Sequence, residues 1–174
     1  MTSRWYIITG SASSGKTTLI QALSKMGYLT VPEAARILID KEIKKGNKLE
    51  EIRKDELDFQ RKVLKIKVDT EEKLPKNKIV FFDRGIPDTI AYYNLYNFNP
   101  KEVMKFCKEL TYRKIFLLEM LPFQKDYARI ESEEIAKKLH NWLKKAYLGL
   151  GYEVIDVPDV SVEDRLKIIL SKID

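Results

Sequence analysis

The sequence predicts an α/β fold, a three-layer sandwich in which a five-stranded parallel sheet lies between two layers of helix. Three observations carry this expectation. Short apolar and β-branched runs alternate with longer amphipathic stretches along the chain, as strands joined by right-handed crossover helices do. Two of the runs, Ile79-Val80-Phe81-Phe82 and Ile115-Phe116-Leu117-Leu118, are apolar without alternation, the mark of strands covered on both faces. A glycine- and serine-rich turn also separates the first apolar run from the first amphipathic stretch.

The elements follow in order. Trp5-Tyr6-Ile7-Ile8-Thr9 reads as the first strand and 16–25 as the first helix. Tyr28-Leu29-Thr30-Val31 is a second, short strand, followed by a helix over 33–45 that Gly46-Asn47 interrupts. From about residue 50 to 74 the pattern is helical, with Ile52, Phe59, Val63 and Ile66 near one face. The third strand covers 78–82, and helices are expected over 86–96 and 100–109, with Pro100 in a first-turn position. The fourth strand is 114–118. A polar segment then leads to a long amphipathic helix over 132–150 that Ser132 can cap. The last strand, 152–157, and a helix over 162–173 complete the pattern. Nothing in it repeats or resembles a linker, so residues 1–174 read as one domain.

Composition narrows the function classes. Of 174 residues, 44% are hydrophobic and 33% charged, enough for a real core. The net charge is +6, and 24 of the 32 cations are lysines spread along the chain. Such a dispersed excess suits small anionic ligands and nucleic acid alike. One cysteine, Cys107, and one histidine, His140, exclude an internal disulfide, a thiolate cluster and a Ser/His triad. Cys107 reads as a small core residue and His140 as a helix-surface residue. No apolar run approaches the length of a membrane span and no signal-peptide pattern opens the chain, so a cytoplasmic protein without membrane insertion is expected.

Gly10-Ser11-Ala12-Ser13-Ser14-Gly15-Lys16-Thr17-Thr18 matches G-x-x-x-x-G-K-[ST] at every defined position. Gly10 and Gly15 allow backbone angles that turn successive N–H groups inward on a phosphate. The helix that follows offers its free N–H groups and positive dipole end to the same anion. Lys16 adds a point charge for the β- and γ-phosphates, and the Thr17 hydroxyl suits Mg²⁺. A strand before the loop and an amphipathic helix after it give the motif the context that a nucleoside triphosphate site needs.

In open parallel sheets ligands sit beyond the carboxyl ends of the strands, so charged residues there carry weight. Asp83-Arg84 follows the third strand. Asp83 can face a metal ion or its water, and Arg84 a substrate anion; the alternative is local, with Asp83 or Asp88 at a helix start and Arg84 paired nearby. Glu33 follows the second strand and can act as general base toward a substrate hydroxyl, or simply favour the first turn of its helix. Arg36, one turn on, can hold Glu33 or an anionic substrate. The segment 119–132, with Lys125 and Arg129, suits a lid that brings positive charge to the phosphates. Tyr92-Tyr93-Asn94-Leu95-Tyr96 can line a pocket for a base or aromatic ring, although a stripe of this kind is more often core packing with interfacial tyrosine.

These residues together resemble a known group. The loop from Ile7 to Thr18, Val31-Pro32-Glu33-Ala34-Ala35-Arg36, Asp58-Phe59-Gln60, the stretch from Phe81 to Tyr92, Arg129-Ile130-Glu131-Ser132 and the run from Val157 to Arg165 are similar to the small P-loop AAA-domain ATPase/kinase family. That family includes the ribosylnicotinamide kinase domain of NAD-biosynthesis proteins and borders the nucleoside and nucleotide kinases. The resemblance implies a strand order 2-3-1-4-5, Glu33 as base, and Asp83-Arg84 for metal and substrate. It also implies Arg129 as lid arginine and Pro158-Asp159 against the nucleotide base. No helical extension or sensor segment of a hexameric AAA+ motor is present in the sequence.

The expectation is an ATP- and Mg²⁺-dependent phosphotransferase acting on a small nucleoside-like hydroxyl acceptor. Lys16, Glu33, Asp83, Arg84 and Arg129 are its catalytic residues, 10–18 with Pro158 and Asp159 hold the nucleotide, and Thr17 and Asp83 hold the metal. The guanine signature [NT]-K-x-D is absent, which favours adenine and leaves GTP open. A nucleotide-bound switch with slow hydrolysis, and a kinase of nucleic-acid ends, remain the alternatives.

Overall fold

The computed structural model of the protein describes residues 3–107, 111–121 and 132–174. The strands are β1 (Trp5–Thr9), β2 (Leu29–Val31), β3 (Val80–Asp83), β4 (Lys114–Leu118) and β5 (Val154–Val157). They form one sheet in the order β2-β3-β1-β4-β5, and every ladder is parallel. The helices are α1 (Lys16–Lys25), α2 (Ala34–Lys44), α3 (Leu49–Ile52), α4 (Glu56–Lys73), α5 (Pro87–Leu95), α6 (Lys101–Met104), α7 (Glu133–Gly149) and α8 (Val162–Leu170).

The period-2 geometry of the strands divides the core. Tyr6 and Ile8 of β1, Phe81 of β3 and Phe116 and Leu118 of β4 pack with Leu19, Ile20 and Leu23 of α1 and Ile169 of α8. Their neighbours Trp5, Ile7, Val80, Phe82 and Ile115 face the other way, toward Tyr147 of α7 and Tyr112. On that second face Leu64 of α4, Ile90, Ala91 and Tyr93 of α5, and Leu139 and Leu143 of α7 form a continuous apolar cluster with Leu117. Both faces of the central strands are therefore covered, as their uninterrupted apolar sequences require.

The caps explain where helices begin. The Ser132 hydroxyl accepts from the Ile135 N–H and opens α7; Ser161 does the same for α8 through Asp164. One expected helix, over 50–74, is two. Asp55 leaves the helical conformation and its carboxylate accepts from the Asp58 N–H at 3.0 Å, so α4 starts afresh at Glu56. Arg53, at the end of α3, reaches across the break to pair with Glu56. Two other boundaries differ. The 100–109 helix ends at Met104, with 108–110 outside the described residues. Asp83, expected just beyond its strand, is the last residue of β3 and pairs in register with Ile8. Among the described residues no helix is long and apolar enough to cross a membrane.

Leu143 is fully buried between α7 and α5. Leu143→Ala is expected to cost about 2–5 kcal/mol of stability. Urea unfolding followed by far-UV circular dichroism measures it, and a loss below about 1 kcal/mol contradicts this packing.

Candidate active site

The loop after β1 enters through Gly10 (φ 152) and reaches α1 through Gly15 (φ 84), positions that suit glycine alone. Between them Ser13 also has a positive φ of 59, and its carbonyl accepts from the Leu121 N–H at 2.9 Å. Gly10, Ser11, Ala12 and Ser14 are buried. Lys16, the first residue of α1, is only 3% exposed. Its ammonium crosses the loop to the Ser11 carbonyl at 2.7 Å and the Ser14 hydroxyl at 3.0 Å. Thr17 and Thr18 are exposed on the first turn of α1. The Ser11 hydroxyl is buried with no hydrogen-bond partner among the described residues.

Beside this loop, β3 delivers Asp83 and Arg84. Asp83 is buried, and its Oδ1 has no hydrogen-bond partner among the described residues. Burial pushes its pKa up to about 7, the Glu33 charge adds to the rise, and Lys16 and Arg84 pull against it. A buried acid with an orphaned oxygen is the donor that a hard cation uses. Thr17 offers a hydroxyl on the first turn of α1. No cluster of three histidine, cysteine or carboxylate ligands occurs among the described residues. These residues therefore fit an ion held mainly by phosphate oxygens and water, as Mg²⁺ is in triphosphate sites.

Arg84 adopts a left-handed backbone, φ 70, uncommon for a long side chain. The turn is held from several directions. The Arg84 N–H donates to the Ile8 carbonyl at 3.0 Å, tying the turn to β1. The guanidinium donates to Glu33 and to Asp88, both at 3.1 Å. Asp88, fully buried on α5, also accepts from the Gly85 N–H, the Thr9 hydroxyl and the Tyr147 hydroxyl. Lys67 of α4 donates to the Gly85 carbonyl at 2.8 Å and the Thr89 hydroxyl at 3.1 Å. Tyr112 accepts from the Ile86 N–H at 3.0 Å and donates to the Glu71 carboxylate. Burial works against the Arg84 charge, but Tyr92, Glu33, Asp88 and Asp83 outweigh it, and its pKa stands above the ordinary arginine value.

Glu33 is the N-cap residue of α2, yet its side chain makes no capping bond. The carboxylate turns to Arg84 instead, on the wall of a cavity between α2, α4 and the Arg84 turn. Ala12 of the glycine-rich loop lines the same cavity, together with Arg36, Phe59, Gln60 and Tyr92. Gln60 is nearly buried and donates its amide to Glu56 at 2.9 Å. The Arg84 guanidinium lies 5.4 Å from the centre of the Tyr92 ring. Of the tyrosines weighed between packing and pocket, Tyr93 is fully buried in the core, whereas Tyr92 faces the cavity.

The structure thus brings 10–16, Glu33, Asp83 and Arg84 to one end of the sheet. Pro158 and Asp159 are exposed just past β5, where the Asp159 N–H donates to Glu119 at 3.3 Å. Arg129, Lys125 and most of 119–132 fall outside the described residues. His140 is half-buried rather than on the surface, and its Nδ1 has no partner among the described residues. Sequence reasoning missed Asp88 as a hub, Lys67 behind the Arg84 turn, and Arg165, a buried arginine of α8 that donates to the Ser14 carbonyl. Lys67 is one of the charged residues of the 50–74 pattern, and no local signal marks Arg165.

The family model described as an AAA domain matches residues 5–165. The chain belongs to that family. Solved structures share the AAA-domain chain's fold. Deoxyadenosine kinase from M. mycoides with bound dCTP superposes with a TM-score of 0.67 at 15% identity, covering 97% of each chain. Thymidylate kinase from Ehrlichia chaffeensis gives 0.65 at 16% identity over 98% of each. NadR protein in complex with NR gives 0.68 at 21% identity over 98% of this chain and 50% of NadR, so this AAA domain spans about half of that protein. These likenesses are of fold. A search of curated protein sequences gives no match.

The Glu71 carboxyl behind the Arg84 turn supplies a pH test. Burial raises its pKa from 4.5 to about 7, against the pull of Tyr112 and Lys67. A folded-state pKa above the unfolded value stabilises below the unfolded pKa, and that contribution is lost as pH rises through the folded one. The wild type is therefore expected to lose stability between about pH 4.5 and 7. Glu71→Gln should melt higher than wild type at pH 8, by on the order of 1–3 kcal/mol, with the gap closing near pH 5. A constant gap in thermal melts across this range contradicts the assignment.

Proposed function

We propose that the protein transfers the terminal phosphoryl group of ATP to a hydroxyl of a small, nucleoside-like acceptor. One observation carries the reading: Glu33 heads a helix without capping it, and its carboxylate faces a cavity whose wall runs into the glycine-rich loop at Ala12. An acid on the wall of a cavity that a phosphate-binding loop also lines suits a general base. The kinases among the structural neighbours, deoxyadenosine kinase, thymidylate kinase and shikimate kinase from Acinetobacter baumannii, support the same chemistry.

In this reading the N–H groups of 10–18 and the Lys16 ammonium hold the triphosphate. Thr17 and Asp83 would hold Mg²⁺, which neutralises phosphate charge when bound. The acceptor lies in the cavity, where the Phe59 and Tyr92 rings and the Gln60 amide suit a flat, polar ring system. As the acceptor oxygen bonds to the γ-phosphorus, its proton passes to a Glu33 carboxylate oxygen, and the bond to the β-phosphate oxygen breaks, releasing ADP. Arg84 fixes the Glu33 carboxylate at 3.1 Å and adds positive charge beside the transferred group. Pro158 and Asp159 bound the nucleotide on the β5 side, and residues 1–174 act as one catalytic unit.

Two substitutions separate the roles. Lys16→Ala is expected to weaken ATP binding about a hundredfold. Glu33→Gln should leave ATP binding unchanged while slowing transfer by about 10²–10⁴. ADP release against a panel of nucleosides reads the second, and isothermal titration the first. Wild-type ATP affinity in Lys16→Ala overturns the reading, as does full turnover in Glu33→Gln.

A further inference from the structure

Arg165 is 2% exposed, although it lies on α8, a helix of the outer layer. Its guanidinium is spent on main-chain carbonyls. Nη1 donates to Ser14 in the glycine-rich loop, Nε to Pro158 past β5 at 2.8 Å, and Nη2 to Glu119 past β4 at 3.1 Å. The nearest carboxylate in an ion pair with it, Asp159, stands at 4.0 Å. A buried guanidinium of this kind is costly to desolvate, and burial lowers its pKa. Its planar fork can address three acceptors in one plane, which a lysine ammonium cannot do in the same place.

The Ser14 contact has a directional consequence. In a trans peptide the C=O and the following N–H point in opposite directions. Holding the Ser14 carbonyl against Arg165 therefore turns the Gly15 N–H away from α8, to the opposite side of the loop. Gly15 suits this arrangement twice over. Its φ of 84 favours glycine, and a Cβ there would approach Nη1 of Arg165 to 3.2 Å. The Ser14–Gly15 peptide is thus gripped on its carbonyl side by a side chain that also holds the segments following β4 and β5.

We infer that Arg165 is a positioning residue for nucleotide binding: it fixes the Ser14–Gly15 peptide so that the Gly15 N–H is aimed at the phosphates, and it docks the 158–159 segment against the same loop. The inference rests on the reading of 10–18 as a triphosphate site. It assigns a role to a residue outside the G-x-x-x-x-G-K-[ST] motif that touches neither substrate.

Isothermal titration of the full chain with inorganic tripolyphosphate and with ATP tests it, in wild type, Arg165→Lys, Arg165→Gln and the control Lys16→Ala. Tripolyphosphate has no base, so it reports on the loop alone. The expected result is an affinity about tenfold weaker for tripolyphosphate in both Arg165 variants, at unchanged stoichiometry and with native circular dichroism. ATP should weaken at least as much. A purely structural role would instead lower the stoichiometry of competent protein and leave the affinity of the remainder alone; that result overturns the inference, as do wild-type affinities or loss of the fold in both variants. Wild-type binding that Lys16→Ala weakens and Arg165→Lys does not isolates the failure to Arg165. If Lys16→Ala changes nothing, or wild type binds neither ligand, the nucleotide reading fails and takes this inference with it.

Discussion

A single buried carboxylate organises the end of the sheet. Asp88 has no exposed surface and accepts hydrogen bonds from Thr9 at the end of β1, from Arg84 and Gly85 in the turn after β3, and from Tyr147 of α7. A carboxyl group buried in that position is tolerable only when its oxygens are fully engaged. Each donor comes from an element that must be in place for the bond to form. The left-handed backbone of Arg84, disfavoured in isolation by about 1 kcal/mol, persists because the guanidinium it presents reaches Asp88 and Glu33 together. The base candidate, the metal-ligand candidate and the phosphate loop are neighbours because this junction holds.

The division of labour among the acids follows from their partners. Asp88 is saturated by donors and structural. Glu33 is paired with Arg84 and lines the cavity. Asp83 keeps an oxygen with no partner among the described residues and has its pKa raised by burial. Three carboxylates gathered at one sheet end thus occupy three electrostatic situations, set by neighbours rather than by residue type.

The sheet and its phosphate loop were legible in the sequence because their signals are local. Unalternating apolar runs specify covered strands, and a loop that must turn its N–H groups inward needs glycines at fixed spacing. Asp55, a capping residue inside an apparently continuous helix, was also a local signal, and three residues on Asp58 supplies the N–H that it accepts; the apolar periodicity across the break masked it. Tyr92 and Tyr93 illustrate what composition cannot separate. They are adjacent and alike, and only the phase of α5, set by Pro87 in its first turn, sends one to the core and the other to the cavity. Lys67 and Arg165 were invisible for a different reason: most of their partners are backbone carbonyls far away in sequence, and a carbonyl leaves no trace in residue identity.

The order in which the chain is made bears on when its site can exist. β1 pairs only with β3 and β4, neither of which is near it in sequence, so the first strand has no partner until nearly half the chain is available. The Arg165 bond to Ser14 spans 151 residues, a long loop whose closure is entropically slow though not expensive per residue. The loop nearest the start of the sequence is therefore finished by the last helix of the sequence. Folding of this protein carries a built-in delay: nucleotide-binding geometry arrives with global closure rather than with the local loop. A chain lacking α8 would hold the motif residues in the right order while leaving the loop without the side chain that pins it.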